Sequence, residues 1–430
     1  MLTSLGFVIL GGAALAAVCR KIQLPTIVGL MLAGLLLGPQ GGNWLDTTML
    51  TISPDLRQMA LIVILVKAGL AINLRDIWGL GRPLLMMSIV PMLLELSLLT
   101  YLGLAVFGLH GLEALLLATA VCAVSPAVVV FRMIRLIELR YGTKKKIPQL
   151  IMVASSLEDI VVVVIFSLVL ALVEAHVATP EGLSALAIVG QVPMALISGI
   201  VLGFIGGFIL SFIAKRMSKG DELLPGTVTL ILTILIAASF VMVAIGNWFK
   251  PYAAVSGLLA VMIMSSVVKG QVSYELGQAL NRQINQLWIP IEIILFVLVG
   301  AAIDTTYMLS MSGILIGIIA LGLIARMFGV GISLMKTVLS TKERLYCAIS
   351  FAPKATVQAA IGGIPLALGL DSGPLVLAAS AMAILITSPI GAFGMDYFYK
   401  RLLEPETDPI IEGQGGGKVR NVDKKTVGNL

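Results

Sequence analysis

The chain has 430 residues, of which 58% are hydrophobic and only 12% charged, with a formal net charge of +6. Its mean hydropathy is +1.04. A soluble domain carries roughly 25% charged residues, so no water-soluble core could hide this much apolar sequence, and lipid must be the solvent.

Division of the apolar runs at charged and Gly/Pro clusters predicts an all-α polytopic membrane protein of about thirteen spans. They lie near 2–19, 24–38, 58–72, 84–107, 112–131, 147–173, 184–213, 225–248, 252–268, 284–303, 308–335, 345–368 and 374–398. Crossing the hydrocarbon takes about 20 helical residues. The run from Met1 to Cys19 has no basic stretch ahead of it and no small-residue cleavage site, so it is expected to remain as the first span. Cys19, Cys122 and Cys347 all fall inside spans without metal-ligand spacing and read as small core residues.

Lysine and arginine placement tests the alternation, because cytoplasmic loops are enriched in both. Of the 29, 24 fall on one side, Arg57 and Lys250 on the other, and Lys67, Arg326 and Lys354 inside spans. The N-terminus is therefore expected outside and the C-terminus in the cytoplasm of a cell membrane. The positive net charge reflects this asymmetry and implies no nucleic-acid partner. Residues 1–403 are expected to form the transmembrane domain and 404–430 a short disordered tail.

Two spans are interrupted alike. Span 5 contains Val124-Ser125-Pro126, and span 12 contains Ala352-Pro353-Lys354. Proline removes a helical donor and clashes one turn back, and a break at membrane depth survives only where protein or a watery cavity re-satisfies the backbone. Span 5 is the fourth of spans 2–6 and span 12 the fourth of spans 9–13. Two five-helix units of opposite topology, about 24–174 and 252–398, would bring these breaks together at a transporter's midplane.

Seven ionisable residues lie in the interior of the expected spans, away from their ends: Lys67, Glu95, Glu158, Asp159, Glu292, Arg326 and Lys354. Each costs at least roughly 2.5–3.5 kcal/mol at the bilayer centre, so each needs a partner or a water pathway. Glu95 with Arg326, and Glu292 with Lys354, would make two compensated pairs, while Lys67 would snorkel. Four acids against three bases leave one acid over. Glu158 and Asp159 lie about 17 Å into span 6, where two carboxylates can hardly both stay ionised and empty. Such a pair can hold protons or a hard monovalent cation. Ser155, one turn before Asp159, offers a further oxygen, and Ser125 and the freed carbonyls around Val124 offer more.

Four segments carry a resemblance: LVKAGLAINL (65–74), AVSPAVVV (123–130), SSLEDI (155–160) and APKATVQAAIG (352–362). The chain resembles the monovalent cation:proton antiporter superfamily, in the branch containing the animal NHA-type sodium/proton exchangers. The resemblance implies Asp159 as the principal cation and proton carrier, Glu158 as the first acid of the pair, and ion pairs Glu95–Arg326 and Glu292–Lys354. It also implies an NhaA/NapA-like fold in which the two broken helices cross beside Asp159. A moving core would hold 112–131, 147–173, 345–368 and 374–398, against a dimerisation scaffold of the remaining spans. The branch usually carries Asp-Asp where this chain has Glu-Asp, which leaves the proton-to-cation ratio open.

These observations predict a homodimeric secondary-active antiporter exchanging sodium or lithium for protons, with no cofactor beyond the transported ions. A potassium/proton exchanger is the nearest rival. A cation channel would not need a buried acid pair. A sodium-coupled solute carrier would need more polar side chains near the breaks.

Overall fold

A computed structural model describes residues 1–71, 74–178, 185–218, 224–249 and 255–406, apart from the side chains of 74–79 and 174–193. In chain order the helices are α1 (Leu2–Lys21), α2 (Thr26–Leu37), α3 (Thr47–Ala71), α4 (Leu74–Phe107), α5 (Gly111–Val121), α6 (Pro126–Glu138), α7 (Ile147–Ala178) and α8 (Ala185–Met217). They continue with α9 (Pro225–Phe249), α10 (Gly257–Gln271), α11 (Tyr274–Ala301), α12 (Thr305–Ser310), α13 (Ser312–Ser333), α14 (Thr341–Ser350), α15 (Thr356–Gly362), α16 (Ile364–Ala367) and α17 (Gly373–Leu402). The only other pairing among the described residues is an isolated bridge between Tyr141 and Pro405.

Local chemistry sets the helix starts. Pro126 opens α6 at a position whose N–H has no helical partner to lose. Ser256 and Ser273 accept backbone hydrogen bonds at the starts of α10 and α11. At α14, Ser340 and Glu343 form a reciprocal capping box. Lys145 donates to both oxygens of Glu343 at 2.9 Å, tying the loop after α6 to this helix start. Burial works against ionisation of Glu343, but Lys145 and Ser340 outweigh it and hold its carboxyl below the ordinary value.

Ten helical segments are long and apolar enough to cross a membrane. Three shorter apolar stretches, Thr26–Leu37, Gly257–Gln271 and Thr356–Ala367, lie where spans 2, 9 and 12 were expected. Four boundaries differ from expectation by seven residues or more: α4 starts at Leu74 rather than 84, α6 ends at Glu138 rather than 131, and the starts of α11 and α3 also move. α11 starts at Tyr274 rather than near 284. α3 starts at Thr47 rather than 58, running through Pro54, so Arg57 lies inside a helix and is only 7% exposed, not in a loop. The first turns of both helices are polar, so hydropathy alone cut them short. Lys250 and residues 407–430, most of the expected tail, lie outside the described residues.

The outer surface is apolar, as lipid requires. Phe204, Phe208 and Phe212, on one stripe of α8, are all exposed. The opposite stripe of α8 packs along α10 through small residues. A Cβ on Gly203 would stand 2.7 Å from the Ala260 carbonyl, and one on Gly207 2.6 Å from the Val267 side chain. Close backbone approach replaces hydrophobic burial as the source of contact where the solvent is itself apolar. α10 also packs on α3, and α3 on α11.

Candidate functional site: two crossed breaks and a buried charge cluster

Residues 122–125 separate α5 from α6, and 351–355 separate α14 from α15. The two gaps meet. The Ser125 N–H donates to the Pro353 carbonyl at 2.8 Å, and the Thr356 N–H donates to Ser125 Oγ at 3.4 Å. Gln358 donates from its amide to the carbonyls of Val121 (3.3 Å) and Ala123 (2.5 Å). Its own oxygen accepts the Ala355 N–H at 2.8 Å. Each break thus supplies the hydrogen-bond partners that the other lost, which is what permits irregular backbone at this depth.

Arg326, on α13, reaches into this crossing. Its Nε donates to Glu95 and its Nη2 to the Cys122 carbonyl. Its Nη1 donates to Glu158 Oε1 at 2.7 Å. The same Glu158 oxygen accepts the Val124 N–H at 3.2 Å. Lys354 Nζ lies 2.7 Å from Glu95 Oε1, an ion pair without hydrogen-bond alignment. Glu95, Glu158, Arg326 and Lys354 are all fully buried. Two acids and two bases are thus ion-paired in one cluster, in which Glu158 Oε2 has no hydrogen-bond partner among the described residues.

The expected partner of Lys354, Glu292, is elsewhere. Glu292 interacts electrostatically with Lys67, whose ammonium lies 5.3 Å from the centroid of the Trp288 ring. The correction is geometric. The break in α14–α15 turns Lys354 towards α4, whereas Glu292 faces α3, which packs along α11.

Asp159 alone stays outside both groups. Its neighbour Glu158 points into the network, and the 100° step between adjacent helical residues turns Asp159 away from it. Its Oδ1 is buried with no hydrogen-bond partner among the described residues. Asp159 lines a cavity of about 530 Å³, together with Lys67, Ser156, Asn285 and Thr356. On its other side it lines a gap of only about 30 Å³, otherwise walled by apolar side chains such as Leu61, Val163, Met262 and Ile361. Beyond Leu61 and Ala360, which line that gap too, lies a third cavity of about 330 Å³. Two roomy cavities thus approach the Asp159 region from opposite ends, with an apolar constriction between them.

Comparison with known proteins bears on this arrangement. A model of the sodium/hydrogen exchanger family, transmembrane, matches residues 7–396. The chain belongs to this family. Sodium/hydrogen exchanger 9B1 of Macaca fascicularis is 30% identical over 413 residues, 93% of this chain and 78% of the relative. The human protein of that name is also 30% identical, over 93% of this chain and 77% of its own length. A solved structure of the sodium proton antiporter MjNhaP1 from Methanocaldococcus jannaschii at pH 8 superposes with a TM-score of 0.74 at 18% identity, over 93% of this chain and 97% of that one. That likeness shows the fold.

The exchanger is accordingly an integral membrane transporter and not an enzyme, and cation/proton antiport is its activity at the level of the family. Of the other oxygens expected from the sequence, the hydroxyls of Ser155 and Ser125 are hydrogen-bonded within the fold, and no hydrogen bond among the described residues engages the Val124 carbonyl. Ser155 is fully buried, donates to the Met152 carbonyl at 3.0 Å and lines neither cavity that Asp159 touches. Ser125 and the Val124 N–H are engaged in the crossing and with Glu158. Ser156, Asn285 and Thr356 share the large cavity with Asp159, although the Ser156 hydroxyl, like that of Ser155, donates to the Met152 carbonyl, at 2.9 Å. None of them was singled out beforehand, although Thr356 belongs to the APKATVQAAIG segment and its hydroxyl lies 3.4 Å from that of Ser125.

Proposed function

We propose that the chain exchanges sodium or lithium for protons by alternating access, with cation and proton competing for the Asp159 carboxylate. The observation that carries this reading is the charge balance. Glu158 is ion-paired with Arg326, Glu95 with Arg326 and Lys354, and Glu292 feels the field of Lys67, while Asp159 makes no ion pair among the described residues and feels Arg326 only beyond ion-pair distance. A buried carboxylate in that position needs a proton or a cation to neutralise it.

Access supports the same reading. In this state the large cavity brings water to Asp159, while the apolar constriction blocks passage to the cavity beyond. Ser156, Thr356 and water complete an oxygen shell for a hard cation beside the carboxylate. The neutral network behind Glu158 fixes the crossing without adding charge to the cargo. Thirteen spans in inverted five-helix repeats, a moving core of 112–131, 147–173, 345–368 and 374–398, and a dimeric scaffold from the other spans fit this cycle. The large cavity lies at the lysine- and arginine-rich end of the spans, so in a cell membrane with the C-terminus inside the protein opens here to the cytoplasm.

The test is proton release from proteoliposomes of the purified chain on addition of sodium, lithium or potassium. Sodium or lithium should trigger release in the natural chain and none in Asp159→Asn. Undiminished exchange in the variant would remove Asp159 from the site. A response to potassium alone would make the protein a potassium/proton exchanger, and a flux without counter-movement of protons would make it a channel.

A further inference from the structure

The third cavity contains a charge that the exchange cycle above does not use. Arg57 on α3 is only 7% exposed, yet lines this cavity of about 330 Å³. Its Nε donates to the Ser53 carbonyl at 3.4 Å, and its Nη1 has no hydrogen-bond partner among the described residues. Nη1 lies against Gly363, at the outer end of the broken α14–α16 segment, where any side chain would displace it. Asp55 lines the same cavity, but it is exposed, stands two residues away on the helix and makes no ion pair with Arg57. No carboxylate among the described residues pairs with Arg57.

The other intramembrane base of α3, Lys67, differs in each respect. It lies in the large cavity beside Asp159, with Glu292 as counter-charge and Trp288 under its ammonium. The two bases stand ten residues apart, about 15 Å along the helix, with the apolar constriction at Leu61 and Ile64 between them. Leu61 lies one turn from Arg57, about 6 Å, and lines the gap that Asp159 also lines. An unpaired guanidinium is costly to bury, and the unpaired acid of the site lies just across the constriction.

We propose that Arg57 is the counter-charge that Asp159 meets when the site opens to this second cavity, and that it promotes cation release there by competing for the carboxylate. The inference rests on the alternating-access reading above. The guanidinium extends from α3 towards Gly363, at the end of α15, which packs on the Asp159-bearing α7, so a joint displacement of α7 and that segment along α3 by about one helical turn brings acid and base towards each other. An arriving cation then loses its carboxylate to Arg57 and leaves through the cavity that Arg57 and the exposed Asp55 both line. Arg57 is a positioning residue in this scheme, since it touches the carboxylate and not the cargo. Lys67 cannot substitute, because it lies on the opposite side of the apolar constriction, in the large cavity.

The experiment measures sodium or lithium exchange by the full chain in vesicles of known orientation, with the cation offered from one face at a time. Arg57→Gln is expected to lower the apparent KM at the Arg57 face about tenfold, the size of one charge-assisted hydrogen bond, with slower release and an unchanged KM at the Lys67 face. Arg57→Lys, which keeps the charge, should remain near the natural values. An unchanged KM at the Arg57 face, an equal change at both faces, or an Arg57→Lys variant indistinguishable from Arg57→Gln each overturns the role of Arg57 while leaving antiport intact. Absence of exchange in the natural chain overturns the antiport reading itself and this inference with it.

Discussion

Adjacent residues in one helix turn have opposite fates here. Glu158 and Asp159 share burial depth and chemistry, but a rotation of 100° gives one a guanidinium and a backbone N–H and the other a cavity. Arg326 is the hinge of that difference, because it holds Glu95, Glu158 and the Cys122 carbonyl together. Replacing it with leucine leaves two buried carboxylates against one ammonium. Removing one partner from a buried ion network costs about 3–5 kcal/mol, so Arg326→Leu should lower the thermal midpoint of the detergent-solubilised protein substantially. Asp159→Asn removes an unpaired charge and should leave that midpoint unchanged or raise it, while abolishing exchange. A paired fall in stability for both variants would contradict the division between a structural network and a working carboxylate. The prominence of Asp159 was legible in the sequence. Which base served which acid was not, since Lys354 reaches Glu95 only because a break turns it there.

At the scale of the element, helices in this protein are joined in two ways. The broken pair is joined by exchanged hydrogen bonds, through Ser125, Pro353, Thr356 and Gln358. The regular pairs are joined by small residues, as where α8 meets α10 through Gly203 and Gly207. A leucine at Gly203 has no room against the Ala260 carbonyl and must push the helices apart. Overpacking of this kind costs about 1–3 kcal/mol, so Gly203→Leu should lower the thermal midpoint, while a leucine at exposed Val201 should change it little. Equal midpoints for the two variants would show that α8 and α10 are not held by close approach. The proline and glycine content announced the breaks, because Pro126 and Pro353 cannot continue a helix. It did not announce Gln358, whose role depends on which carbonyls the other break leaves open. Nor did it announce the true start of α3, whose first turns are polar enough to read as loop.

Across the whole molecule, two cavities of about 530 and 330 Å³ approach one constriction from opposite ends. In the state described here Asp159 belongs to the larger one. Cysteine chemistry can read that asymmetry, since Cys19, Cys122 and Cys347 are all buried and contribute little background. A cysteine at Ser156, which lines the large cavity with Asp159, should react with a membrane-impermeant thiol reagent from the Lys67 face, and a cysteine at Gln58 from the Arg57 face. Labelling of Ser156→Cys equally well from both faces in the resting protein would mean a continuous pore and would dispose of alternating access.

The sequence by itself determined that this chain lives in lipid and where its helices interrupt themselves, because each of these follows from composition or local backbone chemistry. Only the tertiary structure decided which buried acid is left without an ion pair, which oxygens stand beside it and that Arg57 is buried in a second cavity. Those outcomes depend on how helices far apart in sequence are rotated and crossed, and one 100° step along a helix is enough to exchange a salt bridge for a cavity.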